Sequence, residues 1–331
     1  MEGFCRSSIR FGLLATVLMA ATAVPTFAAE RYPTKPIRLV CPFSAGGSTD
    51  FNARAIQDKL TQLLGEQVVI DNRAGASGQI GTRIVKDSNA DGYSLVLHTV
   101  AFLTSTMVYK NAGYDPLKDF KLVAMISKIP TAVSVHPSVP AKSVKELVAL
   151  AKSRSDQINY ASSGVGTNSH LTGELFNLMG NVNIRAIQYK GGGPALAAVV
   201  SGEMQVGFSN ITNTARLHEA GRLRALAVSS LKRSSAMPDL PTVAESGMPG
   251  FEMVAWHIVA APAGTPDRII TLLNQKIQAT LADPVVMKRF DRGGAEIIPM
   301  SPQQVTSYLK EEQVKWRRVV RERKITAGAR R

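Results

Sequence analysis

Cysteine is nearly absent from this chain. Its 331 residues contain two, Cys5 and Cys41. Cys5 lies before an apolar N-terminal run that reads as removable, which leaves Cys41 alone and excludes an intrachain disulfide. Leu39, Val40 and Phe43 around Cys41 predict a buried strand cysteine rather than a reactive thiol. The signatures of common catalytic sites are missing too: no G-x-S-x-G elbow, no H-E-x-x-H, no C-x-x-C. There is no G-x-G-x-x-G and no P-loop lysine. The histidines, at 98, 136, 170, 218 and 257, form no i, i+4 pair. The sequence therefore proposes neither a zinc site nor a Ser-His-Asp triad, although residues distant in the chain could still assemble one. No cofactor and no metal are expected. There is no repeat, heptad array or low-complexity tract, and past the N-terminus no apolar run is long enough to cross a membrane.

What is present begins with an export signal. Arg6 and Arg10 precede an apolar run from Phe11 to Val24, and Pro25, Thr26, Phe27, Ala28 and Ala29 supply small residues near a cut site, so residues 1–28 read as a cleavable signal peptide and the mature chain as periplasmic. Cys5 precedes the apolar run, where a lipobox cysteine would not be. The formal charge is +14. Residues 1–28 carry Glu2, Arg6 and Arg10, a net +1, so the mature chain keeps +13. Such a surface attracts anions. Much of the excess sits in Lys315, Arg317, Arg318, Arg321, Arg323, Lys324, Arg330 and Arg331, without interleaved stacking aromatics. That pattern reads as a solvated helix face, and nucleic acid is not an expected partner.

A composition of 45% hydrophobic and 19% charged residues excludes a disordered chain, and the length favours two lobes over one core. Short β-rich runs alternate with helical patterns, which predicts an α/β protein with mostly parallel sheets flanked by helices. Strands are expected at 37–42, 68–71, 93–98, 122–126, 132–135, 158–161, 184–189, 204–209, 225–229 and 254–260. Ser143 with Glu146 predicts a capping box before a helix over 144–152. Pro194 is expected at the first position of a helix closed by Gly202. Thr265-Pro266, Asp283-Pro284 and Ser301-Pro302 with Gln304 open three more. The chain is expected to build one lobe from 29–130 and 250–331 and the other from 131–249, crossing at turns near 128–131 and 247–253.

Three strand-to-helix junctions could carry chemistry. In Pro42-Phe43-Ser44-Ala45-Gly46-Gly47-Ser48-Thr49-Asp50, a glycine turn and a helix start aim backbone N–H groups at one point, as an anion cradle requires. Ser48 and Thr49 add hydroxyls, and Gly46 and Gly47 permit close approach. Asp50 would repel an anion and more plausibly braces the loop or the helix start. An ordinary βα turn is the plain alternative. Ser162-Ser163-Gly164-Val165-Gly166-Thr167-Asn168-Ser169-His170 repeats the design, with His170 a loop brace ahead of a ligand contact. In Tyr189-Lys190-Gly191-Gly192-Gly193-Pro194-Ala195, Tyr189 could wall a cleft and Lys190 could draw in anions or simply be solvated.

Together with further blocks, these segments resemble the periplasmic receptors of tripartite tricarboxylate transporters, the Bug family. The likeness runs from about Tyr32 to Ile325. It includes Tyr32-Pro33-Thr34-Lys35-Pro36-Ile37, the Pro42–Asp50 loop, residues 71–78 (DNRAGASG), Asp91-Gly92-Tyr93, Tyr114-Asp115-Pro116 with Asp119-Phe120, and Tyr189-Lys190-Gly191. Residues 221–227 (GRLRALA), 240–247 (LPTVAESG) and 261–266 (APAGTP) complete it. The resemblance implies a two-lobed periplasmic binding protein (type II-like) with its ligand cleft between the lobes, no catalysis, and a small organic carboxylate as ligand. Its loops Phe43–Asp50 and Gly164–His170 would act as pincers, partly through water. The far end of the ligand would meet Thr99, Ala101 and the region of Phe208–Asn210, including Ser209. The usual Pro-Gly-Gly is here Ser44-Ala45-Gly46-Gly47, and Gln205 and Ser209 replace acidic residues, which leaves the substrate open. The implied partners are the membrane subunits of such a transporter, with the receptor a monomer. A sensor feeding a two-component kinase, or an exported hydrolase of carboxylate esters or amides, are the competing functions.

Overall fold

The computed structural model describes residues 1–2, 31–154 and 157–327. The expected signal peptide lies, from residue 3 onward, outside the described residues, as do Arg330 and Arg331. From Pro33 the chain runs β1 (Ile37–Cys41), α1 (Ser48–Leu64), β2 (Val68–Asn72), a 3-10 turn (Ala76–Gly78), α2 (Gln79–Lys86), β3 (Ser94–Thr99), α3 (Ala101–Val108) and β4 (Phe120–Val135). Next come α4 (Val144–Ser153), β5 (Asn159–Ser162), α5 (Asn168–Gly180), β6 (Arg185–Gln188), α6 (Gly192–Val200), β7 (Val206–Asn210), α7 (Ile211–Glu219) and β8 (Arg224–Val228). The last part is β9 (Val254–Pro262), α8 (Asp267–Leu281), α9 (Pro284–Arg292), β10 (Glu296–Ile297) and α10 (Pro302–Glu322). Among the described residues no helix is long and apolar enough to cross a membrane.

Each lobe has its own sheet, built on parallel βαβ units. In the first, β2, β1 and β3 are parallel, and β9 then pairs antiparallel with β3 and β4. In the second, β6, β5 and β7 are parallel, and β4 pairs antiparallel with β7 and β8. β10 also pairs antiparallel with β4, and of the antiparallel strands it is β4 that takes part in both sheets. The expected turn at 128–131 does not exist: β4 is one strand whose residues 120–130 pair with β9 and whose residues 131–135 pair with β7 and β8. Pro130 suggests a break because it cannot donate to a ladder. It is tolerated because it sits where the pairing partner changes. Ser229, fully buried, ties the two crossings together, its hydroxyl accepting the Thr131 N–H at 2.8 Å and donating to the Met253 carbonyl.

Several helix starts follow their local chemistry. Ser301 and Gln304 complete a capping box, and the Asp283 carboxylate accepts from the N–H groups of Val285 and Val286. The Ser143 box is half formed, because the Glu146 carboxylate accepts from Lys142 N–H at 2.8 Å instead of from Ser143. Pro194 is the third residue of α6, not the first. The core includes Trp256, Phe102, Tyr160, Phe176 and Phe208. The indoles of Trp256 and Trp316 both donate to the buried Glu312 carboxylate at 2.8 Å. Cys41 is buried, and burial pushes its thiol far above the ordinary value. On α10, Arg317, Arg318 and Arg321 are exposed, as a solvated face requires.

Candidate functional site

A cleft of about 50 Å³ lies between the lobes. Its wall takes Phe43, Gly47, Ser48, Thr49 and Thr99 from the first lobe. The second lobe supplies Ser163, Thr167, Asn168, Ser169, Gly192, Ala195, Leu196, Phe208, Ser209, Asn210 and Asn213. Hydroxyls and amides dominate, and no charged side chain lines it. The first turns of α1, α5, α6 and α7 all contribute to this wall. None of the four has a side-chain cap, as is also true of α2, α3 and α8, whereas α4, α9 and α10 are capped by Ser143, Asp283 and Ser301. The first N–H groups of a helix have no intrahelical acceptor, and its N-terminus carries roughly half a positive charge. The cleft is therefore an anion-attracting site made of backbone dipoles and hydroxyl donors.

In the first loop, Asp50 accepts from Gly46 N–H at 3.1 Å and from Arg54 Nε at 2.9 Å, so it braces the turn. Burial opposes its ionisation, but the hydrogen bonds from Arg54 and Gly46 outweigh that and hold its carboxyl below the usual value. Gly46 has φ +80°, which a side chain would strain. Ser48 Oγ lies 3.0 Å from Nε2 of His257, a fully buried residue of β9. Burial pushes the His257 ring down to about 3, so it is neutral, and its Nδ1 has no partner. A buried lone pair is cheaper to leave unpaired than a buried N–H, so Nε2 carries the proton and donates to Ser48. The serine hydrogen is then free for the cleft. No carboxylate orients this histidine, as a Ser-His-Asp triad would require.

The second loop is held by its own hydroxyls. Thr167 Oγ1 donates to Gly164 O at 2.6 Å, and Ser169 Oγ accepts the Ser163 N–H at 2.8 Å. His170 Nδ1 accepts from Gly166 N–H at 3.1 Å. Burial lowers its pKa, and the neutral ring is a loop brace. The lobes also touch directly. Ser44 Oγ donates to Lys190 O at 2.6 Å and Asn213 Nδ2 to Gly46 O at 2.7 Å. A Cβ on Gly193 would lie 2.9 Å from Ala45 O. The third glycine segment thus meets the first face to face, and the cleft is closed over.

Of the expected contacts, Phe43, Gly47, Ser48, Thr49, Thr99, Thr167, Asn168, Ser169 and Ser209 line this one cavity. Eight others do not. Ser44, Ala45 and Gly46 face the opposite lobe's loop instead, and Gly164, Gly166 and His170 form the loop's inner frame. Ala101 is wholly buried at the start of α3. The Tyr189 hydroxyl donates to Glu203 Oε1 at 2.6 Å on the exposed side. Ser163, Gly192, Ala195, Leu196 and Asn213 were not expected as contacts. Gly192 could have been found from the third junction, whereas Asn213 follows a helix start with no sequence mark. Among the described residues no group of three or more metal-ligating side chains occurs.

These features define a two-lobed, periplasmic-binding-protein architecture closing on a small polar cleft. The chain belongs to the tripartite tricarboxylate transporter family of receptors, whose family model matches residues 52–325. It is 36% identical to protein BugT of Bordetella pertussis over 308 residues, 92% of this chain and 94% of that protein. Among solved structures, Rpa4515 of R. palustris with adipate is 38% identical, with TM-score 0.87, covering 89% of this chain and 99% of that one. MatC from Rhodopseudomonas palustris with bound malate is 29% identical, with TM-score 0.84, covering 87% and 100%.

Proposed function

We propose that this protein is a periplasmic receptor that captures a small organic carboxylate by lobe closure and presents it to the membrane subunits of a tripartite tricarboxylate-type transporter, acting as a monomer and without catalysis. The observation that carries this reading is the convergence of four uncapped helix N-termini and seven serine and threonine hydroxyls on one cleft free of charged side chains. A carboxylate is the compact anion such donors suit, and charge-assisted hydrogen bonds contribute roughly 1.5–3 kcal/mol each. The adipate- and malate-bound relatives support the same ligand class. The lobes correspond to 29–130 with 250–331 and to 131–249. Ser48 and Thr49 hold the acid from one side, and Ser169 with the first N–H groups of α5 from the other.

The test is calorimetric titration of the purified mature chain with malate, succinate, adipate and lactate. At least one should bind, and Thr49→Val and Ser169→Ala should each weaken that acid by roughly tenfold. Affinity unchanged in both variants would mean that the acid binds elsewhere. Turnover of a carboxylate ester or amide that vanished on Ser48→Ala, Ser169→Ala or His170→Ala would replace the receptor reading with the hydrolase.

A further inference from the structure

Two polar atoms on the cleft wall have no partner. Asn168 is held at its amide nitrogen, which donates to Thr131 Oγ1 at 2.6 Å and to Asn210 Oδ1 at 3.2 Å. That fixes the side chain's orientation and leaves Asn168 Oδ1 buried with no donor. Thr99 Oγ1, from the opposite lobe, is likewise buried and unpartnered. Both residues are 7% exposed, and both line the cavity. A carboxylate cannot satisfy Asn168 Oδ1, because it too only accepts. The donor that Asn168 Oδ1 needs comes either from a water trapped with the ligand or from the ligand itself, and a ligand that carries its own donor spares the cost of holding that water.

Hydroxyl and ammonium are the candidate donors, and charge decides between them. No Asp or Glu lines the cavity. The nearby carboxylate of Asp50 is committed to Arg54 and to the Gly46 N–H. An ammonium would be buried among helix N-termini that already carry positive partial charge, and an unpaired buried cation is strongly disfavoured. A hydroxyl carries no such penalty. A hydroxyl both donates, as Asn168 Oδ1 requires, and accepts, as the Thr99 hydroxyl allows. We infer that the receptor selects a hydroxylated carboxylate, with Asn168 and Thr99 reading the hydroxyl. This rests on the carboxylate-receptor reading above and narrows it.

The experiment compares acids that differ by one group: malate with succinate, lactate with propionate, and malate with aspartate, by calorimetry on the wild-type mature chain. The hydroxylated member of each of the first two pairs should bind roughly ten- to a hundredfold tighter, since the analogue leaves a buried acceptor unpaired. Malate should exceed aspartate. In Asn168→Leu and in Thr99→Val, the malate-to-succinate preference should shrink to within about threefold, a ratio that a merely structural defect would not alter. Succinate binding as tightly as malate, or aspartate binding more tightly, overturns the inference and leaves the carboxylate receptor standing. Failure of every acid to bind the wild-type chain overturns both.

Discussion

Gly193→Ala separates folding from closure. Gly193 lies inside α6 and is not one of the positive-φ glycines, so alanine imposes no backbone strain. Alanine in a helix is favoured over glycine by up to about 1 kcal/mol, so the second lobe should keep or gain stability. The new Cβ, however, would lie 2.9 Å from the Ala45 carbonyl oxygen of the first lobe, at least half an ångström inside normal contact. Both partners are backbone-borne and cannot rotate away, so the lobes must part slightly. Overpacking of this kind costs about 1–2 kcal/mol. That cost falls on the closed arrangement alone, and the dissociation constant should rise roughly five- to thirtyfold. The assay pairs a thermal melt without acid, where Tm should hold or rise, with titration of whichever acid binds the wild type. Affinity within twofold of wild type would refute the reasoning, because it would mean that α6 and the Ser44–Gly47 loop do not meet when ligand is held.

Two predictions concern stability. Glu312→Ala leaves the indoles of Trp256 and Trp316, both buried, without their acceptor. Urea denaturation should show a loss of about 3 kcal/mol, with roughly half of it recovered in Glu312→Gln. His98 and His257 are buried neutral, their rings pushed down by burial to about 3. The unfolded chain binds protons below its ordinary histidine value of 6.5, where the folded chain refuses them down to about pH 3. The stability is thus fully present above pH 6.5 and falls on acidification, by about 1.4 kcal/mol per pH unit for each ring. His257→Gln or His98→Gln should flatten the measured slope of stability against pH by one proton, and an unchanged slope would count against the buried neutral assignment.

The legible parts of this molecule are those with local causes. Gly46-Gly47-Ser48-Thr49 and Gly164 to Ser169 each state a turn, a helix start and a set of hydroxyls within a few residues, so both loops could be read directly. The capping box of Ser301 and Gln304 is equally local. What could not be read depends on partners far along the chain. His257 touches Ser48 across 209 positions, and nothing around Trp256 or Ile258 marks it as a supporting group. Asn213 reaches Gly46 across 167. Lys128–Thr131 looks like a turn because Pro130 is a ladder breaker. Only the exchange of β9 for β7 and β8 as neighbours explains why the strand runs through it. Tyr189 read as a cleft wall because it adjoins a glycine turn, yet its hydroxyl is claimed by Glu203.

On the proposed reading, an anion site without arginine or lysine couples ligand occupancy to lobe closure. The positive helix ends are shared unequally: α1 belongs to the first lobe, and α5, α6 and α7 belong to the second. Apart, each set is screened by water. Brought together, the positive ends of α5, α6 and α7 meet that of α1, which the Asp50–Arg54 pair leaves nearly unchanged in net charge, and an anion placed between them turns their mutual repulsion into attraction. The ligand's free energy is therefore much more favourable in the closed arrangement than in the open one, and this difference is what a ligand must have to shift a conformational equilibrium. A lysine on either wall would hold the acid on one lobe alone and bind it nearly as well when open, so occupancy would no longer be coupled to shape. Backbone dipoles divided between lobes make closure itself the measure of cargo.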